Sequence, residues 1–451
     1  MMARGANRDE PETGGGTGGG PPPDPRKAAV RVQAGVLHAA LKDVTGVVAG
    51  RNTVPILDHV LFAAGDGRIT LTATDLDIWV TRDLASNDRD GPDGAEWVKS
   101  IRPFVLTLPA KALLAVIGEL DSEAMVTIAA PGLRLSPGSG PQGEPGGDNR
   151  AAISAGRARF RLHSLAPDDF PQPPPMAVAA GFELPCTVLG DAFAAVEHAI
   201  STEETRYYLN GIYLHPFQAG EGAPMDLRMA ATDGARLGRV LLDLPDGAAS
   251  FPAVILARLT VAVLDKLMLA AIKGAPEDAE PPRILIEAAS EAPGARVRFA
   301  LPAGDGGTVE VIAKTIDGSF PDYARVIPAD PPRRGGVDRA ALLAALRRVA
   351  VLGAAKSRVV RAKFAAEQLT LTVSTLELGE ACEELPCAWA GEPLTVGLDS
   401  KYWREALLAL DGDEVALGLT YAGAPVRMRG VGRDDGSESD RLVQVVMPAR
   451  V

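Results

Sequence analysis

The chain has 451 residues, 46% of them apolar, with 46 Lys and Arg against 58 Asp and Glu for a net charge of −12. That length exceeds what one core serves and predicts about three domains. The acidic total argues against a general nucleic-acid binder, while leaving room for a basic surface inside an acidic whole.

Residues 1–27 are Gly, Pro and charge with almost nothing to bury, and are predicted to be a disordered tail without a signal pattern. Leu37, Leu41, Val44 and Val48 then fall on one helical face. Strand-like runs follow in ILDHVLFAA and ITLTATDLDIWV, and FVLTLPAKALLAVIGEL reads as a strand entering a second helix. SPGSGPQGEPGGDN (136–149) has the composition of a flexible insertion.

The same order returns twice. Phe193, Val196 and Ile200 mark a helix, followed by LNGIYLHPF, LRMAATDGARLGRVLL and PAVILARLTVAVLDKLML. The last of these carries Arg258, Asp265 and Lys266, so no membrane span is expected. KGAPEDAEPP (273–282) reads as a shorter insertion and PADPPRRGG (328–336) as a linker. Leu342, Leu346 and Val349 mark the third helix, with Asp338 as its N-cap, ahead of SRVVRAKFAA, LTLTVSTLELGEA and LTVGLDSKYWREALLAL. Thr74, Thr232 and Ser374 sit at matching points. This self-similarity predicts an α+β protein of three similar domains, over 28–180, 181–330 and 331–451.

The recurring Thr-Asp raises the question of chemistry. Asp75 and Asp233 would serve a metal-dependent hydrolase only if close together, and the repeat puts them in different domains. A turn between paired strands, with Asp bonding nearby backbone, accounts for them better. Residues 138–143 spell G-x-G-x-x-G, but no helix opens after them. The three cysteines, Cys186, Cys382 and Cys387, imply no disulfide framework, and Cys382 and Cys387 lack zinc spacing. His38, His59, His163, His198 and His215 are scattered singly, and no nucleophile elbow is visible. No catalytic residue, metal or cofactor is expected, which favours a binding protein.

Basic residues lie on or beside the repeated helices: Lys42, Arg51, Arg206, Arg258, Lys266, Arg347, Arg348, Lys356, Arg358, Arg361, Lys401 and Arg404. Composition alone favours solvated faces. The other reading is a gathered positive surface that holds phosphates without reading sequence.

ETRYYLNGIYL (204–214), AATDGARL (230–237), IDGSFPDYARVIP (316–328) and VVMPARV (445–451) resemble the bacterial DNA polymerase III beta subunit family, the sliding clamps. RNTVPIL (51–57) and LTATDLD (71–77) resemble its first domain, and the likeness runs from about Ala28 to Val451. The resemblance implies a homodimeric ring, first domain against third, with helices lining a hole around duplex DNA. It implies a cytoplasmic, nucleoid-associated accessory subunit without catalysis. Its partners would be the polymerase III catalytic subunit, the clamp loader, and other polymerases and repair proteins. Carried over by position, DNA contact is expected at Arg51, Arg206, Arg258, Arg347, Arg348, Lys356 and Arg358. A partner-peptide groove is expected at Leu209, Thr232, Gly234, Arg236, Leu237, Pro321, Arg325, Val326, Val445, Met447 and Pro448. Ala235 replaces a common His, Ala449 a second Met, and Leu259 a DNA-facing lysine. These departures leave a specialised or non-loading paralogue, acting as an interaction hub, as the alternative.

Overall fold

The computed structural model describes residues 29–48, 50, 52–65, 67–85, 98–100, 103–130, 149–173, 175–289, 295–304, 306–353, 358–432 and 439–450. The predicted tail and residues 136–148 of the first insertion lie outside them.

Each of three successive units contains one pattern twice: a strand, a helix, then a run of strands. In the first unit the pattern is Ala29–Gln33, α1 (Ala34–Thr45), His59–Gly65, Arg68–Thr74 and Ile78–Ala85. It repeats as Phe104–Pro109, α2 (Ala110–Gly118), Met125–Ala129, Arg150–Ala155 and Ala158–His163. The second unit carries α3 (Cys186–Val196) and α4 (Arg258–Gly274), and the third α5 (Arg339–Val349) and α6 (Ser400–Leu408). The helices pack in pairs, α1 with α2, α3 with α4 and α5 with α6, over the sheets.

The predicted helical faces turn inward. Leu37, Leu41 and Val44 of α1 and Leu342, Leu346 and Val349 of α5 are buried, each large side chain contributing about 1.5–3 kcal/mol. Val48 and Ile200 are also buried, but beyond the ends of α1 and α3. Asp338 caps α5, its carboxylate accepting from the Ala341 N–H at 2.7 Å. Asp399 caps α6 in the same way.

Both Thr-Asp pairs lie in turns between paired strands. Asp75 Oδ1 accepts from the Asp77 and Ile78 N–H groups, and Asp233 Oδ1 from those of Ala235 and Arg236. The PADPPRRGG stretch is only partly a linker. Arg333–Asp338 is a strand paired on both sides, because Gly335 and Gly336 admit the neighbouring Trp389 ring and Glu414 carboxylate where a Cβ would collide.

Two sheets run across the joints between units. The Ile78–Ala85 strand pairs with Thr308–Lys314 and so completes an eight-stranded sheet shared by the first and second units. Arg236–Asp243 pairs with Leu442–Val446 in a nine-stranded sheet shared by the second and third. The joints are alike in detail. Trp79 lies opposite Ile312 at one and Leu237 opposite Val445 at the other. The Lys314 N–H donates to the Asp77 carbonyl at 2.9 Å, as the Met447 N–H does to the Ala235 carbonyl at 2.8 Å. Two strands of the same kind remain as outer strands: Ala158–His163 in a five-stranded sheet and Gly379–Pro386 in a four-stranded one.

Helix and sheet are also braced by charge. Arg82, on the strand side, pairs with Asp43 of α1 at 3.1 Å. At the corresponding place in the third unit Glu383 is on the strand and Arg348 on α5, with Arg348 Nε 3.0 Å from the carboxylate. The joint between α1 and α4 holds a pocket of about 350 Å³ lined by small residues, Gly35, Ala39, Ala270 and Ala271 among them, beside Arg82 and Asp43.

Candidate functional site

The second joint gathers most of the residues expected to form a groove. Leu237 and Val445, opposite one another in the ladder, lie in one apolar cluster with Ala230, Tyr323 and Val443. Phe320 and Ile327 pack against this cluster from the segment that leads into the third unit. That segment is fixed from below: the Tyr323 hydroxyl meets His215 Nε2 at 2.9 Å, and Tyr213 stacks on Phe320 at 4.8 Å. Burial pushes the Tyr323 hydroxyl pKa up and the His215 imidazole pKa down, so both stay neutral near pH 7. Above this buried floor Pro321, Arg325 and Val326 are exposed, Arg325 in an ion pair with Asp322 at 2.9 Å.

The turn after Ala231 carries three more residues of the expected groove, Thr232, Gly234 and Arg236. The Thr232 hydroxyl donates to the Arg236 carbonyl at 2.7 Å and accepts from the Gly234 N–H. Gly234 has φ +89°, a backbone that favours glycine, and a Cβ there would come within 2.6 Å of Arg206 Nη1 and push that guanidinium aside. Arg206 donates to the Asp233 carbonyl at 3.1 Å and pairs with Glu203 at 2.8 Å. Leu209 is buried at the end of the same short helical turn, Glu204–Leu209. The chain end closes the site: Met447 bonds to Ala235, Pro448 is half-buried, and the Ala449 N–H donates to Gly397 in the third unit at 2.8 Å.

Arg236 departs from a simple wall residue. It is 8% exposed, held by Asp233 at 3.0 Å and by Glu405 of α6, with its guanidinium 4.3 Å from the Tyr402 ring. His198 lies nearby; burial and the Arg236 charge push its pKa down to about 4. Glu405 and Tyr402 escaped sequence reasoning, since nothing local ties α6 to a turn so far upstream, and His198 stands in the sequence only as an isolated histidine.

The first joint is built alike but filled. Trp79 stands where Leu237 stands, only 5% exposed, its indole N–H donating to the Pro171 carbonyl at 3.1 Å. Leu76 occupies the place of Gly234 and takes the same left-handed backbone, φ +79°.

The cations expected at DNA are divided among the units. Arg258 is exposed as the first residue of α4, Arg347 is exposed near the end of α5, and Arg358 is exposed just before the Val359–Ala365 strand. Arg348 is exposed but paired with Glu383, and Arg206 is bonded to the Asp233 carbonyl. Arg51 and Lys356 lie outside the described residues. Among the described residues no three His, Cys, Asp or Glu side chains gather as a metal site.

Comparison with known proteins agrees with this architecture. Family models described as the N-terminal, central and C-terminal domains of the DNA polymerase III beta subunit match residues 29–137, 183–280 and 324–450. The beta sliding clamp of Caulobacter vibrioides is 33% identical over 395 residues, covering 87% of this chain and 94% of its own length. That of Escherichia coli is 28% identical over 413 residues, covering 91% and 96%. A sliding clamp structure from Bartonella birtlesii, bound to griselimycin, superposes with a TM-score of 0.79 at 31% identity, covering 94% of this chain and all of that one. A Caulobacter crescentus polymerase III beta structure gives a TM-score of 0.77 at 31% identity, over 94% and 100%.

Proposed function

Because the chain belongs to the DNA polymerase III beta subunit family, the sliding clamps, we propose that two copies close head to tail around duplex DNA through the two outer strands left unmatched within one chain. A clamp is a non-catalytic processivity factor. It encircles DNA without reading sequence and tethers its polymerase, turning each rebinding into a local event at high effective concentration.

The observation that carries the ring is the likeness of the two joints. Following the ladders through each unit, Glu380 corresponds to Trp79 and Leu237, and Arg161 to Ile312 and Val445. A third joint of the same kind would join Gly379–Pro386 of one copy to Ala158–His163 of the other. Glu380, Cys382 and Glu384 would then face Arg161, Arg159 and Arg157, all of them exposed in the single chain. Acid meets base at the two ends of the row, with Cys382 opposite Arg159 between them, and the exposed Val351 beside it adds apolar surface. Two joints of this kind close the assembly, as heterologous contacts must if they are not to grow into a fibre.

In this reading the three clamp domains meet ahead of the Val178–Pro185 and Arg333–Asp338 strands. Arg258, Arg347, Arg348 and Arg358 supply phosphate contacts, and Arg206 is reassigned to the groove turn. Contacts to phosphate alone permit sliding, because they carry no base information. Other polymerases, repair proteins and the clamp loader would share the second-joint groove, in the cytoplasm at the nucleoid. No described helix is long and apolar enough to cross a membrane. Similarity to clamps along nearly the full chain favours this over a hub that never loads.

Two measurements test the reading. A labelled peptide of the Gln-Leu-x-Leu-Phe type should bind the intact chain with micromolar affinity, roughly −8 kcal/mol, and fail to bind a chain ending before Met447. The loaded protein should stay on closed circular DNA and leave when the circle is cut. Peptide binding without retention would overturn the ring in favour of the hub.

A further inference from the structure

We propose that Glu405, on α6 of the third unit, is a positioning residue for the groove: it holds Arg236 and thereby fixes the Thr232–Arg236 rim against a different unit. The proposal rests on the groove reading above. Glu405 lies outside the expected groove set, and its role is carried by geometry.

The rim turn needs an external anchor. Asp233 Oδ1 is committed to the turn's own backbone, and Asp233 Oδ2 to Arg236 Nε at 3.0 Å. The other edge of the Arg236 guanidinium points out of the second unit, where Nη1 meets the Glu405 carboxylate. The Tyr402 ring covers one face of the same guanidinium. Tyr402 and Glu405 are three apart on α6 and so share one side of the helix. Arg236 is the first residue of the strand whose second residue, Leu237, lies in the groove floor. A shift of the guanidinium is therefore passed to the floor by one peptide unit and to the rim by Asp233.

The consequence is that the groove has its open dimension set between units. With the carboxylate in place, rim and floor keep one spacing. Without it, a nearly buried cation loses its cross-unit partner, and the turn keeps only its local bonds. His198, packed nearby, is neutral or cationic but never anionic and cannot replace that partner. Lys401 lies 3.9 Å from the same carboxylate on the exposed side of α6, so part of the Glu405 charge is already directed away from the groove.

The test is a double-mutant cycle read by peptide anisotropy and by thermal melting. Glu405→Ala should weaken peptide binding about tenfold while Tm moves little. Glu405→Gln, which keeps an acceptor oxygen, should recover part of the loss, and it decides the matter if the alanine variant does not fold. Leu408→Ala, exposed on the same helix, should bind as the parent does. Adding Glu405→Ala to Arg236→Ala should cost nothing further. Parent-like affinity in both Glu405 variants, or losses that simply add across the cycle, would overturn the assignment and leave the groove intact. A parent protein that does not bind the peptide would remove the groove itself, and this assignment with it.

Discussion

Reversing charge at the proposed seam gives the sharpest test of the ring. Glu380→Lys with Glu384→Lys would put two cations opposite Arg161 and Arg157 of the second copy. An exposed ion pair is worth up to about 1 kcal/mol, and a like-charge pair directly opposite costs a similar amount. Each reversed position therefore shifts the balance by about 1–2 kcal/mol. With two positions per seam and two seams per ring, the total is about 4–8 kcal/mol, on the order of a 10³- to 10⁶-fold weaker dimer. Sedimentation velocity from nanomolar to tens of micromolar protein should find a dimer for the parent and a monomer for the variant. Raised salt should shrink the difference, because these charges are exposed. Adding Arg157→Glu and Arg161→Glu to the same chain restores opposite charges and should restore the dimer. A reversed variant that stays dimeric throughout, or a fourfold variant that stays monomeric, would refute the register derived from the two internal joints.

The remaining predictions concern stability and the rim. His198 has a folded pKa near 4 against an ordinary value of 6.5, so below pH 6.5 the unfolded chain binds the extra proton and folding stability falls with acidification. Between pH 7 and pH 5 this group should cost about 2 kcal/mol in urea unfolding; an equally steep fall in His198→Leu would discount it. Gly234→Ala must hold a left-handed backbone and displace Arg206, so a loss of about 1–2 kcal/mol and weaker peptide binding are expected. Parent-like melting and binding would show that the turn relaxes freely. Trp79→Ala should lower stability by about 3–5 kcal/mol in denaturant unfolding, because the indole is buried and hydrogen-bonded at the first joint. A loss below 1 kcal/mol would mean that the joint does not depend on that plug.

Much of the fold is legible because its signals are local. Leu342, Leu346 and Val349 recur at helical spacing, Asp338 precedes them as a cap, and Asp75 and Asp233 stand where a chain must reverse. What crosses between units is not legible. Ile78–Ala85 pairs with a strand more than two hundred residues downstream, and no periodicity names that partner. Arg333–Asp338 was hidden by its own composition: prolines and glycines read as linker, yet the glycines serve close approach inside a sheet. At the site, motif positions located Thr232, Leu237 and Val445, whose contacts follow from backbone register. They say nothing of the groups that Arg206 and Arg236 meet, Glu203 within the same unit and Glu405 on α6, because side-chain reach sets those contacts.

The paired charges beneath α1 and α5 have one more implication. Asp43 and Arg82 in the first unit become Arg348 and Glu383 in the third, the same brace with its signs exchanged between layers. The attraction between the two groups does not depend on which layer carries which sign, so the exchange preserves the brace. What changes is where charge sits once the pair is made: the cation moves to the helical layer and the anion to the outer strand. The scaffold thus has a neutral means of moving charge from sheet to helix. Inverting the first unit's pair, Asp43→Arg with Arg82→Glu, would add positive charge to its helical layer, at the cost of the bonds that Arg82 also donates to the Asp83 and Thr308 carbonyls.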